Sequence, residues 1–171
     1  SCKRCVFGDQ CRYGGELETL TRIGASHFEN AGIIWLGVSA SYKLDIASFF
    51  YNRVGLLITN KNPIDANEIY VTVDRLMSAN RISGAFNDSA LIEIDEGNSD
   101  ENYPASINLR DVKCEGNGDA VIKIVSGHVG THLKIDGIVF YPEFTNLLGK
   151  NNLIQIESTC KETPTIEINN Y

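Results

Sequence analysis

The stretch LDIASFF, Leu44 to Phe50, carries an apolar spacing that returns in VTVDRLM from Val71, INLRDVK from Ile107, LKIDGIV from Leu133 and TIEINNY from Thr165. In each, an apolar residue is followed by a second two positions later and a third three positions after that. The triplets are Leu44, Ile46, Phe49; Val71, Val73, Leu76; Ile107, Leu109, Val112; Leu133, Ile135, Ile138; and Ile166, Ile168, Tyr171. A weaker earlier copy, Leu20 and Ile23, has Glu18 where the first apolar residue should stand. The interval varies from 26 residues (Ile107 to Leu133) to 36 (Val71 to Ile107), as expected when strands are fixed and turns are not.

A second short signal lies between these copies: IIWLG at Ile33, LLIT at Leu56, LIEID at Leu91, VIKIV at Val121 and LIQIE at Leu153. Ile- and Val-rich alternation with period two is the pattern of strands, and no segment sustains a helical stripe over three turns. Gly, Asn, Asp and Ser clusters such as DEGNSDENYP from Asp95 and EGNGD from Glu115 supply the turns. Such short strands cannot bury a face alone, whereas stacked copies can. The expected fold is therefore all-β, a parallel β-helix of about six coils spaced roughly 4.8 Å apart. A β-sandwich or Greek-key protein also accommodates isolated alternating strands and stays open as the alternative.

The segments LDIASFFYNRVGLLITN, INLRDVKCEGNGDAVIKI and LKIDGIVF with NNLIQIES give the chain its likeness to known proteins. From Leu17 to Tyr171 it resembles the right-handed parallel β-helix family, the single-stranded fold of pectate-lyase-like carbohydrate enzymes and bacteriophage tailspikes. The resemblance implies a β-helix domain over 17–171 behind a Cys-rich segment or cap over 1–16. It implies a tailspike or tail-fibre fragment that binds host cell-surface polysaccharide, with depolymerisation open, as a homotrimer alongside other virion tail proteins. Such a protein is assembled in the host cytoplasm and resides in the virion. A secreted, monomeric pectate-lyase-like lyase or hydrolase is one rival, and a non-catalytic structural or adhesive β-helix is another.

If the coils stack in register, the residue after each second apolar position forms an outward column: Thr21, Ala47, Asp74, Arg110, Asp136, Asn169. Asp74 and Asp136 then lie two coils apart, about 9 to 10 Å, with Arg110 between them. That touches the upper end of the acid–base separation of an inverting glycosidase, roughly 6.5 to 9.5 Å. Asp74, Arg110 and Asp136 are thus the catalytic candidates, and an ordinary cross-strand salt-bridge ladder is the simpler reading of them. Family members with lyase activity hold an acidic calcium cluster. The acidic residues Asp45, Asp74, Asp111, Asp136 and Glu167 are expected in different columns or on distant coils, without such a cluster.

On the second strand the outward residues read Trp35, Leu57, Glu93, Lys123, Gln155, with Glu93 and Lys123 expected as a surface pair. Trp35 beside Leu57 suggests an outward apolar patch for glycan stacking or subunit contact; packing under a loop or a register shifted by one residue are the other readings.

The five cysteines cannot all close into intrachain disulfides, which favours a reducing site of assembly. Cys2, Cys5 and Cys11 with His27 are candidate zinc ligands, but the second half of a standard motif is missing, and free thiols or a local disulfide also suit them. Cys114 has an inward phase and reads as a small buried hydrophobe. His128 and His132 flank a turn without the glutamate of a zinc protease, and no cofactor fingerprint occurs. The loop from Asp95 to Asn102 lacks a full calcium ligand set. A net charge of −7 argues against nucleic acid and suits a neutral, polyhydroxylated partner. No apolar run is long enough to insert in a membrane as a helix. The start at Ser1 without Met and an end in mid-coil are those expected of a fragment or processed product.

Overall fold

The computed structural model describes residues 17–26, 30–36, 41–50, 52–59, 69–79, 90–95, 105–115, 120–127, 130–141, 152–158, 160, 162–170. The Cys-rich segment 1–16, His27, His128 and most of the Asp95 to Asn102 loop lie outside them, so the zinc and calcium-loop expectations fall outside the described residues.

Among the described residues eleven strands follow one another: β1 (Leu17–Ser26), β2 (Ala31–Leu36), β3 (Ser41–Phe50), β4 (Val54–Thr59), β5 (Ile69–Ala79), β6 (Ala90–Asp95), β7 (Ala105–Glu115), β8 (Ala120–Ser126), β9 (His132–Tyr141), β10 (Asn152–Ile156) and β11 (Thr165–Asn169). They alternate strictly between two sheets, ordered β1-β3-β5-β7-β9-β11 and β2-β4-β6-β8-β10. Every strand pair is parallel. No helix occurs among the described residues. A chain that returns to the same sheet in the same direction after each visit to the other is consistent with a parallel β-helix.

The long strands of the first sheet are bent. Arg22, Ile46, Arg75, Asp111 and Gly137 have φ between +49° and +77°, and Asn170, just beyond β11, has φ +53°. The pairing ladder passes over these positions, so one left-handed residue per strand divides it into a first and a second arm. This explains the sequence spacing. Two apolar residues two apart face inward on the first arm, and the bend delays the next inward residue to the third position.

The bend also corrects one triplet. The register places Leu44 opposite Val73 and Ala47 opposite Leu76, so the buried residues of β3 that match Val73 and Leu76 are Leu44 and Ala47. Ile46 is the bend residue, 37% exposed, and not a core residue. In the outward column, Asp45 therefore takes the place expected of Ala47.

The core lies between the sheets. Leu44, Val71, Val73, Ile107, Leu109, Leu133 and Ile135 from the first arm are fully buried against Ile33, Leu56, Ile58, Ile92, Ile94, Ile122 and Ile124 of the second sheet. Removing each such side chain from water contributes about 1.5–3 kcal/mol. Volumes compensate across this space. Phe49 packs where Gly32 and Gly55 leave room, since a Cβ on either would approach its ring to 3.2 or 2.9 Å. The strands that follow carry Leu91 and Val121 in the glycine register, and Cys114 sits opposite Phe140 and Ser78, buried as its phase predicts. Buried Asn52 donates from Nδ2 to the Ala25 carbonyl at 2.9 Å, tying two successive rungs at the corner before β4.

Both sheets end at the same edge, β10 and β11. There Ile156 and Ile168, in inward register, are 43% and 41% exposed, whereas their counterparts one rung back are buried.

Candidate functional site

The outward side of the first arm is a three-column grid. Alternation along β5 turns Tyr70, Thr72 and Asp74 outward, and the same phase gives Ser106, Asn108, Arg110 on β7 and His132, Lys134, Asp136 on β9. Lys43 and Asp45 on β3 and Glu167 and Asn169 on β11 extend the second and third columns. In-register parallel pairing holds equivalent groups roughly 4.8 Å apart.

Asp74, Arg110 and Asp136 do share one column, as expected, running Thr21, Asp45, Asp74, Arg110, Asp136, Asn169. Their contacts are unequal. Asp74 sits between two cations, Lys43 Nζ at 3.6 Å and Arg110 Nη1 at 3.8 Å. Asp136 accepts instead from Asn170 Nδ2 at 2.6 Å. The neighbouring Asp45 is held by the Arg75 guanidinium, whose Nε donates at 3.2 Å. Arg75 and Asn170 are both bend residues, so the left-handed corner aims each side chain back at the carboxylate of the preceding rung. Asp45 and Asp74 are register neighbours, closer together than the sequence pattern suggested.

At the far end Lys134 Nζ and His132 Nε2 approach Glu167 at 3.4 and 3.7 Å. Glu167 also accepts from Asn169 Nδ2 at 2.7 Å, and this bond, followed by the Lys134 contact, lowers its pKa below the usual glutamate value. His132 begins strand β9, just after the turn it was expected to flank. Among the described residues, no three His, Cys, Asp or Glu side chains gather as a metal site would require.

Tyr70 was not singled out from the sequence, yet it is 51% exposed at the head of the grid. The signal was present in IYVTVDR, where Tyr70, Thr72 and Asp74 alternate with the apolar Ile69, Val71 and Val73.

The second sheet differs from expectation. The register sets Trp35 opposite Ile58, in line with buried Ile94 and Ile124, while Ile34 lies opposite Leu57. Glu93 and Lys123 are register neighbours but not a surface pair, being 7% and 6% exposed. Arg53 Nη1 lies 3.6 Å from Glu93, and Glu157 Oε1 lies 3.1 Å from Lys123. Asp95, likewise buried, accepts from Ser126 Oγ at 2.7 Å. The alternating pattern could place these residues on the outer face; it could not show that Glu93, Asp95 and Lys123 are buried there.

Among the described residues no helix is long and apolar enough to cross a membrane. Compared with known proteins, the chain matches no family model, no curated protein and no solved structure.

Proposed function

We propose that this chain is a segment of a right-handed, single-stranded parallel β-helix of about six coils that binds polysaccharide through the first-arm grid, as the shaft of a tailspike-like homotrimer. Right-handedness follows the general preference of parallel crossover connections. The observation that carries the ligand class is the grid itself: hydroxyl, amide and charged groups repeat at fixed spacing beside a half-exposed aromatic ring, as a polyhydroxylated polymer requires. Cell-surface polysaccharide, a virion location and contact with other tail proteins extend that reading by resemblance alone.

A binding role suits the column better than turnover. Asp74, the first acid candidate, stands between Lys43 and Arg110 as one member of a cross-strand ladder of ion pairs. Light scattering over a range of concentration and salt tests the assembly: three chains per particle is the expected mass, and a concentration-independent monomer of 18.9 kDa overturns the trimer. Reducing-end release from bound polymer tests turnover. None is expected, and release abolished by Asp74→Asn would restore the enzyme reading.

A further inference from the structure

We infer that the rung formed by β10 and β11 is a detachable cover, held shut by one glutamate clamp on each sheet, that opens while the rest of the stack stays folded.

The two clamps share one design. On the second sheet, Glu157 Oε1 lies 3.1 Å from Lys123 Nζ and accepts from Gln155 Nε2 at 3.1 Å. On the first sheet, Glu167 Oε1 lies 3.4 Å from Lys134 Nζ and accepts from Asn169 Nδ2 at 2.7 Å. In both, the lysine belongs to the preceding rung, and the amide stands two residues from the glutamate on the covering rung. The amide fixes the carboxylate where the lysine can reach it, which makes each clamp a charge-assisted tie between rungs. His132 Nε2 approaches the other Glu167 oxygen at 3.7 Å.

The apolar hold beneath the clamps is reduced. Ile154 and Ile166 are partly buried, and Ile156 and Ile168 are 43% and 41% exposed, whereas the residues opposite them, Ile122, Ile124, Leu133 and Ile135, are fully buried. An inner rung packs against two neighbours; among the described residues this one packs against a single neighbour. Opening it breaks one set of contacts instead of two, so the charged ties are a larger share of what holds it. The corner between its strands has a fitted seat. Gly127 has no side chain, and a Cβ there would come to 3.0 Å from the Glu162 carbonyl oxygen and from the Pro164 ring. When the rung lifts, β8 and β9 become edge strands, and Ile122, Ile124, Leu133 and Ile135 meet solvent beside their freed backbone groups.

Hydrogen exchange of the 171-residue chain, read amide by amide by NMR, tests this. The reporters are the amides of β10 and β11, among them Thr165, whose N–H donates to the Thr131 carbonyl of the preceding rung at 2.9 Å. They are expected to exchange faster than those of β5 and β7. In the double variant Glu157→Gln with Glu167→Gln they should speed up roughly tenfold further, while β5 and β7 keep their parent rates. Asp45→Asn, which removes the ion pair to Arg75 on an inner rung, should leave the reporters unchanged. Reporters as slow as β5 and β7 overturn the detachable rung. Fast reporters that ignore the double variant reflect ordinary fraying of an end and overturn the clamps. Equal acceleration of every rung, or a response to Asp45→Asn as large as to the double variant, overturns the confinement of the opening to this rung.

Discussion

At the scale of single residues, the positions that decide the shape are the five bends and the residue after β11. Gly137 and Asn170 suit a positive φ; Ile46, at φ +56°, does not, because a β-branched side chain crowds the backbone there. Its side chain is partly exposed, so little burial is lost by replacing it. Ile46→Asn should therefore raise stability by about 1 kcal/mol, read as a shift of the denaturant midpoint at constant slope. An unchanged or lower midpoint would show that Ile46 gains more from packing than its backbone loses. Glu167 gives a second residue-level outcome. Its native pKa is lowered by Asn169 and Lys134, so its contribution is fully present above the ordinary glutamate value of 4.5 and disappears as pH falls through the lower native value. In midpoints measured across that acid range, Glu167→Gln should flatten the decline relative to the parent chain and leave it no steeper. The bends themselves were hidden in the sequence, since Arg22, Ile46, Arg75 and Asp111 share no chemistry that marks them. They are legible only as the extra residue in the two-then-three spacing.

At the scale of strands, periodicity was a good guide to which segments pair and a poorer one to their exact register. All five sequence copies became neighbours in one sheet and the second set became neighbours in the other. The slip at Ile46 arose because DIASFF contains two overlapping apolar patterns, and only the neighbouring strands choose between them. IIWLG is apolar throughout and has no phase of its own, so the register of Trp35 opposite Ile58 could not be read from it. The grid was half legible: its charged column could be counted out from the triplets, while the exposure of Tyr70 depends on what neighbours leave uncovered. Packing between elements gives a further expectation. A Cβ at Gly55 would lie 2.7 Å from the Leu91 carbonyl oxygen and 2.9 Å from the Phe49 ring. Gly55→Ala should cost about 1–3 kcal/mol. Adding Phe49→Leu should recover only part of that loss in a double-mutant cycle, because the backbone contact persists. Full recovery would mean that the ring alone sets the limit.

At the scale of the whole molecule, each rung touches chiefly the rungs above and below it, so stability is close to a sum of neighbour terms. Among the described residues the stack has two edges, β1 with β2 and β10 with β11, and the second carries exposed isoleucines. Among the described residues no strand pairs beyond β10 and β11, Ile156 and Ile168 are exposed there, and neither strand contains the lysine, proline or bulge that discourages pairing with another chain. Ile168→Lys should lower concentration-dependent association, measured by sedimentation, without moving the unfolding midpoint by more than about 0.5 kcal/mol. Association that persists unchanged would locate it on another surface.

The bend residues also make the molecule a measuring rod. Successive bends lie as few as 24 residues apart (Arg22 to Ile46) and as many as 36 (Arg75 to Asp111), yet each advances the stack by one strand spacing. Length of chain is thus uncoupled from length of object. Segments between the strands can grow or shrink without changing the distance between any two graduations, and reach along the axis is altered only by adding or removing a whole graduation.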